Sequence, residues 1–151
     1  MRIRSAVATD EAAVRDCAEA AYARHVAAIG RRPAPMDTDY GAAIAAAQVH
    51  VAEVDGAFAG FLHVIPRADD LLLEAIAVRP NLAGKGIGKA LVRRAEAEAR
   101  RRGLGWVRLY TNARMVENLA IYPRLGYVET GRRTEHGLDR VFFEKRLTDT
   151  A

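Results

Sequence analysis

Apolar residues recur along this chain in two rhythms, every second position or every three to four, and the changes of rhythm mark its elements. Ile3 to Val7 reads as a short strand. From Glu11 to Ala28, the positions Ala12, Val14, Ala18, Ala21, Tyr22 and Val26 trace one helical face, with Thr9 or Asp10 as cap and Gly30 as stop. Arg31 to Asp37 holds two prolines and is predicted as a loop. An Ala-rich helix is predicted from Thr38 to Ala47. Gln48 to Val54 and Phe58 to Ile65 read as strands around Asp55-Gly56, a two-residue hairpin signal. Leu71 to Val78 is a third consecutive strand, apolar on both faces and therefore central. Strand alternation places its one acid, Glu74, on a face with Leu72, Ile76 and Val78, unless a bulge intervenes.

The second half alternates helix and strand. Ile87, Ala90, Leu91 and Ala95 predict a helix from Gly86 to Arg102, with Glu96/Arg100 and Glu98/Arg102 as i,i+4 pairs and Gly103 beyond its end. Trp106 to Thr111 is a strand. Met115 to Leu125 is a helix whose last turn Pro123 distorts or shortens. Tyr127 to Arg133 and Arg140 to Arg146 are the last strands, joined near His136-Gly137. The order β-α-α-β-β-β-α-β-α-β-β is an α+β layout with helices covering a mixed sheet. The early helices either close over a substrate or cover one sheet face.

Composition narrows the class. With 151 residues and 50% hydrophobic content, the chain is expected to form one domain, residues 1–151, with a true core. The formal charge of +4 is scattered or sits at helix ends, and no stretch interleaves basic and aromatic residues into a nucleic-acid platform. A positive bias would still recruit an anionic ligand. No apolar run approaches the ~20 residues of a membrane span, and the charged N-terminus lacks a signal-peptide core, so a cytoplasmic location is expected. The single cysteine, Cys17, excludes an internal disulfide and reads as an apolar filler. His25, His50, His63 and His136 lack metal-ligand spacing, so no metal is expected; His63 either points into a cleft or is half-buried and hydrogen-bonded.

The stretch from Leu71 to Ala95 concentrates the candidate chemistry. A strand runs through a proline into Gly84-Lys85-Gly86-Ile87-Gly88 and then directly into a helix. Glycines let an anion reach the main chain, and the unpaired N–H groups and macrodipole of the helix start attract it. Two commoner phosphate signatures fail. The dinucleotide fingerprint needs a third glycine where Lys89 stands, and the phosphate loop of nucleotide hydrolases needs a hydroxyl where Ala90 stands.

AVRPNLAGKGIGKAL resembles instead the pyrophosphate motif of the GNAT superfamily of N-acetyltransferases, Q/R-x-x-G-x-G/A. Gly86 and Gly88 match its glycines, while its Gln/Arg position falls on Ala83. YTNARMVENLAIYPRLGYVETGR resembles the family's later motif at Asn118, Tyr122, Gly126 and Tyr127. The likeness covers nearly the whole chain in element order.

The resemblance implies acetyl transfer from acetyl-CoA to a primary amine of a small molecule or peptide, by direct attack through a tetrahedral intermediate and without a metal. It implies that the pyrophosphate lies on Gly84, Lys85, Gly86, Ile87, Gly88 and Lys89, and that Asn118 and Tyr122 line the cofactor arm. The main chain of Ile76, Ala77 and Val78 would pair with the pantetheine as an added strand. Glu74, an acid among apolar neighbours, is the candidate general base, or else it pairs with an arginine of a neighbouring strand. Tyr122 is the candidate acid for the leaving sulfur, or else a core aromatic with a satisfied hydroxyl. An alternative is a non-catalytic acyl-CoA sensor, disfavoured because Glu74 and Tyr122 are both present. Pairing through the last strand into a homodimer is a further expectation.

Overall fold

A computed structural model describes residues 1–147. Its strands are β1 (Arg2–Ser5), β2 (Val49–Val54), β3 (Ala57–Pro66), β4 (Asp70–Val78), β5 (Trp106–Asn112), β6 (Val128–Glu135) and β7 (Leu138–Arg146). Its helices are α1 (Glu11–Ile29), α2 (Tyr40–Ala45), α3 (Ile87–Arg101) and α4 (Val116–Arg124). The predicted order is therefore observed, an α+β arrangement. The strands form one sheet ordered β1-β2-β3-β4-β5-β7-β6. All neighbours are antiparallel except β4 and β5, which are parallel because α3 carries the chain across.

Local chemistry explains the boundaries. Asp55 and Gly56 both take positive φ (53° and 78°), the twist a two-residue hairpin requires, and His136 and Gly137 repeat it between β6 and β7. α2 is shorter than predicted. Asp39 caps it by accepting from the Ala42 N–H at 3.0 Å, and the chain turns out at Ala47 with φ 60°. Asp10 stands at the N-cap of α1, but its side chain makes no cap bond to the helix. Its carboxylate takes the guanidinium of Arg4 and the N–H of Val7 at 2.7 Å. Pro123 falls in the last turn of α4, which closes with tight bonds such as Leu125 N–H to the Tyr122 carbonyl at 3.0 Å.

The sheet separates two cores. Leu71, Leu73, Leu91, Val107, Tyr122 and Phe143 pack on the α3 and α4 side. Val14, Cys17, Tyr40, Phe61, Ala75 and Ala77 pack under α1 and α2. Cys17 is fully buried and its thiol is pushed up to about 11 by that burial, as suits a filler. The expected pair Glu96/Arg100 is replaced by a different arrangement. Glu96 turns inward, 1% exposed, and takes Arg93 at 3.0 Å, Lys145 at 3.1 Å and the Tyr127 hydroxyl at 2.9 Å. The predicted Glu98–Arg102 pair forms at 3.0 Å.

One irregularity reshapes the central strand. His63 pairs with Ala75 and Val64 with Leu73, so Glu74 is an extra residue in β4, a bulge. Sidedness changes across it. Leu71 and Leu73 belong to the α3 core, but Ala75 and Ala77 belong to the α1 core, while Ile76 and Val78 pack against the α3 side. Glu74 therefore does not share a face with Ile76 and Val78, as simple alternation predicts. A bulge places two successive side chains on one side, and Glu74 joins Ala75 facing α1 and α2.

Candidate active site

β4 and β5 pair only from Asp70–Trp106 to Leu72–Arg108 and then diverge. The Arg79 N–H donates to the Ala59 carbonyl at 2.8 Å, which fixes the phase of the β3–β4 ladder. By that phase Ala75 and Ala77 turn their main-chain groups to β3, and Ile76 and Val78 turn theirs into the gap toward β5. The Ile76 carbonyl accepts the Tyr22 hydroxyl at 2.9 Å, which brings α1 to the same edge. Ile76 and Val78 thus offer strand-type donors and acceptors in the gap. Ala77 sits with its methyl in the α1 core and its backbone toward β3.

Past Val78 the open edge leads to the glycine turn. Gly84 and Gly86 hold φ of 80° and 83°, which only glycine adopts without strain. The first α-helical bond of α3 runs from Ala90 N–H to the Gly86 carbonyl at 3.1 Å, and no side chain caps the end. The N–H groups of the first turn therefore face outward, with Lys85 and Lys89 exposed beside them. Ala83, where the motif carries Gln or Arg, is exposed just before the turn and closes the short 3-10 turn Pro80–Leu82. The residues present fit an anion such as a pyrophosphate: a cradle of main-chain donors, two lysines and the positive end of a 15-residue helix.

A cavity of about 90 Å³ opens where β4 and β5 part, with Glu74, Tyr122, Asn118, Tyr110, Arg140 and Tyr22 in its wall. Burial raises the Glu74 carboxyl above the ordinary glutamate value, against the opposing pull of Arg140 and Arg67. Among the described residues Glu74 makes no ion pair and no side-chain hydrogen bond, so the predicted alternative of a paired glutamate is not what forms. Tyr122 is 9% exposed, and its phenol is pushed up to about 12 by burial. Its hydroxyl has no hydrogen-bond partner among the described residues. Asn118 donates to the Thr111 hydroxyl at 3.1 Å, fastening α4 to β5.

The cavity has a roof. Pro33, Ala34 and Pro35 of the loop after α1 face Leu138 of β7, and Arg31 donates to the His136 carbonyl at 2.7 Å, joining that loop to the β6–β7 turn. The early helices thus cover one face, and the loop between them lines the cavity. Tyr127 is 2% exposed, its hydroxyl is committed to Glu96, and it does not line the cavity. His63 lies in the α1-side layer, with Nε2 3.2 Å from the Gln48 side-chain oxygen and Nδ1 unpartnered. Three cavity residues escape the motif reading: Tyr22, which reads as one more position of an apolar stripe, and Tyr110 and Arg140, which become neighbours only when β5 pairs with β7. Among the described residues no His, Cys, Asp and Glu cluster could hold a metal, and no helix is long and apolar enough to cross a membrane.

An acetyltransferase (GNAT) domain model matches residues 45–129, which include β2 to α4, the glycine turn and Tyr122. The chain belongs to the GNAT acetyltransferase family. Solved structures repeat this acetyltransferase fold. PaiA N-acetyltransferase from Thermoplasma acidophilum, in complex with coenzyme A, superposes with a TM-score of 0.81 at 20% identity over 97% of this chain and 98% of its own. The ribosomal-protein-S18-alanine N-acetyltransferase from Escherichia coli gives 0.78 at 21% identity over 99% and 96%. YncA of Salmonella typhimurium, an acetyltransferase described as putative and carrying acetyl-CoA, gives 0.74 at 24% over 100% and 96%. No protein of curated function matches the sequence significantly.

Proposed function

We propose that this acetyltransferase moves the acetyl group of acetyl-CoA onto a primary amine of a small molecule or peptide, and that the described residues act as one catalytic domain. The observation that carries the proposal is the continuity of the β4 edge. Main-chain groups of Ile76 and Val78 enter the gap, the uncapped turn from Gly84 to Lys89 lies at one end, and Glu74 and Tyr122 wall the cavity beside it.

Acetyl-CoA supplies the activated acyl carbonyl. In this reading the Gly84, Lys85, Gly86, Ile87, Gly88 and Lys89 segment takes the pyrophosphate, and Ile76 and Val78 pair with the pantetheine arm. Ala77, between them, contributes spacing. Asn118 holds α4 against β5 so that Tyr122 faces the gap. Glu74, as carboxylate, receives the proton that the acceptor ammonium must lose before its nitrogen can attack. Burial keeps that carboxylate basic enough for the task and keeps water from competing. Nitrogen–carbon bond formation breaks the carbon–sulfur bond, and the Tyr122 hydroxyl gives its proton to the departing thiolate. The buried phenol stays protonated across the physiological range, as an acid must.

Incubation with acetyl-CoA and a panel of amines and peptide N-termini, read by thiol release, tests the proposal. Acceptor-dependent release supports it. Binding of acetyl-CoA with no release for any acceptor would favour the sensor instead. A cytoplasmic setting belongs to the same proposal, as does pairing of two copies, which would use the edge strand β6 and not the last strand, since β7 is already paired on both sides by β5 and β6.

A further inference from the structure

The face of the sheet that α1 and α2 cover over β2, β3 and β4 continues, without them, across β5, β7 and β6. There Trp106, Arg108 and Tyr110 of β5 and Arg140, Phe142 and Glu144 of β7 project opposite the α3 core, where Val107, Leu109, Val141 and Phe143 lie. Arginines rest on the rings. Arg140 lies 4.5 Å above Tyr110, Arg133 of β6 lies 4.1 Å above Phe142, and Arg108 lies 4.7 Å above Trp106. The sequence hides this platform because its members come from three strands, not one stretch. A groove on this face is lined by five arginines and only two glutamates. Tyr110 and Arg140 line both the groove and the cavity that holds Glu74, so the two adjoin.

The arginines are not equivalent. Arg67 and Arg108 are spent on Asp70, and Arg108 also on Glu144 at 3.3 Å. Arg132 is spent on Glu129 at 3.1 Å. Arg133 and Arg140 donate no side-chain hydrogen bond to any described residue. Both make only a loose ion pair, sharing the one carboxylate of Glu135 at 3.6 Å and 3.7 Å, longer than a hydrogen bond. A guanidinium stacked on a ring keeps its N–H edge free, and that edge matches a carboxylate in two-pronged fashion.

We propose that the acceptor is an anionic amine: its amino group enters the cavity beside Glu74 while a carboxylate it carries is held by Arg140 and Arg133. This inference rests on the acetyl-transfer reading and names the acceptor class for that same site. Two sources share the chemistry, a free amino acid and the N-terminus of an acidic peptide.

The test compares peptides that share one N-terminal residue and carry aspartate, asparagine or lysine at the next positions, together with the free amino acid and its amide. Thiol release gives kcat/KM for each, in the native chain and in Arg133→Gln, whose side chain is 66% exposed. The expected result is an acidic-over-neutral preference on the order of tenfold that falls toward one in the variant. Preference confined to the peptides, or to the amino acid over its amide, identifies the source. Equal or better use of neutral and basic acceptors overturns the inference, as does a preference unchanged in Arg133→Gln. A second arm needs no turnover: calorimetric binding of the N-acetylated aspartate peptide, expected to weaken about tenfold in Arg133→Gln. Absence of thiol release with every acceptor would count against acetyl transfer, and the binding arm would still decide the inference. Weak binding of that peptide, unaffected by the substitution, would overturn it.

Discussion

The ring of Tyr127 stands nearly perpendicular to that of Tyr122, with centroids 5.8 Å apart and planes at 72°. Tyr127 is itself fixed from behind, since its hydroxyl donates to the Glu96 carboxylate at 2.9 Å and Lys145 closes the same group at 3.1 Å. An ionic knot in α3 and β7 therefore sets the orientation of the proposed acid. Tyr127→Phe removes one charge-assisted hydrogen bond from a buried carboxylate. We expect a loss of about 2 kcal/mol in urea unfolding, with acetyl-CoA affinity retained. An unchanged midpoint would show that the knot holds without the phenol.

Tyr122→Phe keeps the ring in its aromatic contacts with Tyr127 and Phe143 and deletes only the hydroxyl. That hydroxyl has no structural partner to lose, so stability should hold. Turnover should fall by about a hundredfold, the usual scale of general-acid assistance, with little change in acetyl-CoA binding. Steady-state kinetics beside a binding titration separates the two. Full turnover in the variant would remove Tyr122 as the acid.

Glu74 must be ionised to accept a proton, so activity should rise with pH through its folded-state pKa. Burial raises that pKa above the ordinary 4.5, and Arg140 partly offsets the rise. The acid limb of the kcat/KM profile should lie above pH 4.5. Arg140→Gln removes the stabilising cation and should move the limb to still higher pH. Glu74→Gln should abolish the limb along with most of the rate. A limb that stays in place in both variants would assign it to another group.

Gly86 occupies φ 83° with open space around its missing Cβ. Gly86→Val should cost about 1–2 kcal/mol of backbone strain and place a side chain on the anion cradle. The native chain should gain thermal stability with acetyl-CoA, because a ligand bound only by the folded state stabilises it. The variant should fold at a lower midpoint and show no such gain. An equal gain in the variant would place the pyrophosphate elsewhere.

Much of this was readable in the residues themselves. The hairpin at Asp55-Gly56, the proline loop and the strand–glycine–helix run each carry a local signal, and their order points to the fold. What pattern could not supply is what depends on partners. The bulge at Glu74 is an offset against β3, visible only once His63 and Val64 have chosen Ala75 and Leu73. Glu96 has suitable partners on its own helix, yet the hydroxyl of Tyr127 and the ammonium of Lys145 draw it inward. Tyr110 and Arg140 are 30 positions apart and meet only through the β5–β7 ladder.

In the proposed complex acetyl-CoA lies along the free edge of β4 with its pyrophosphate on the following turn. Backbone amide spectra of the isotope-labelled protein, recorded as acetyl-CoA is added, test it most directly. The largest shifts should fall on Ile76, Val78 and the run from Gly84 to Lys89. Shifts concentrated elsewhere, or none at saturating ligand, would contradict it.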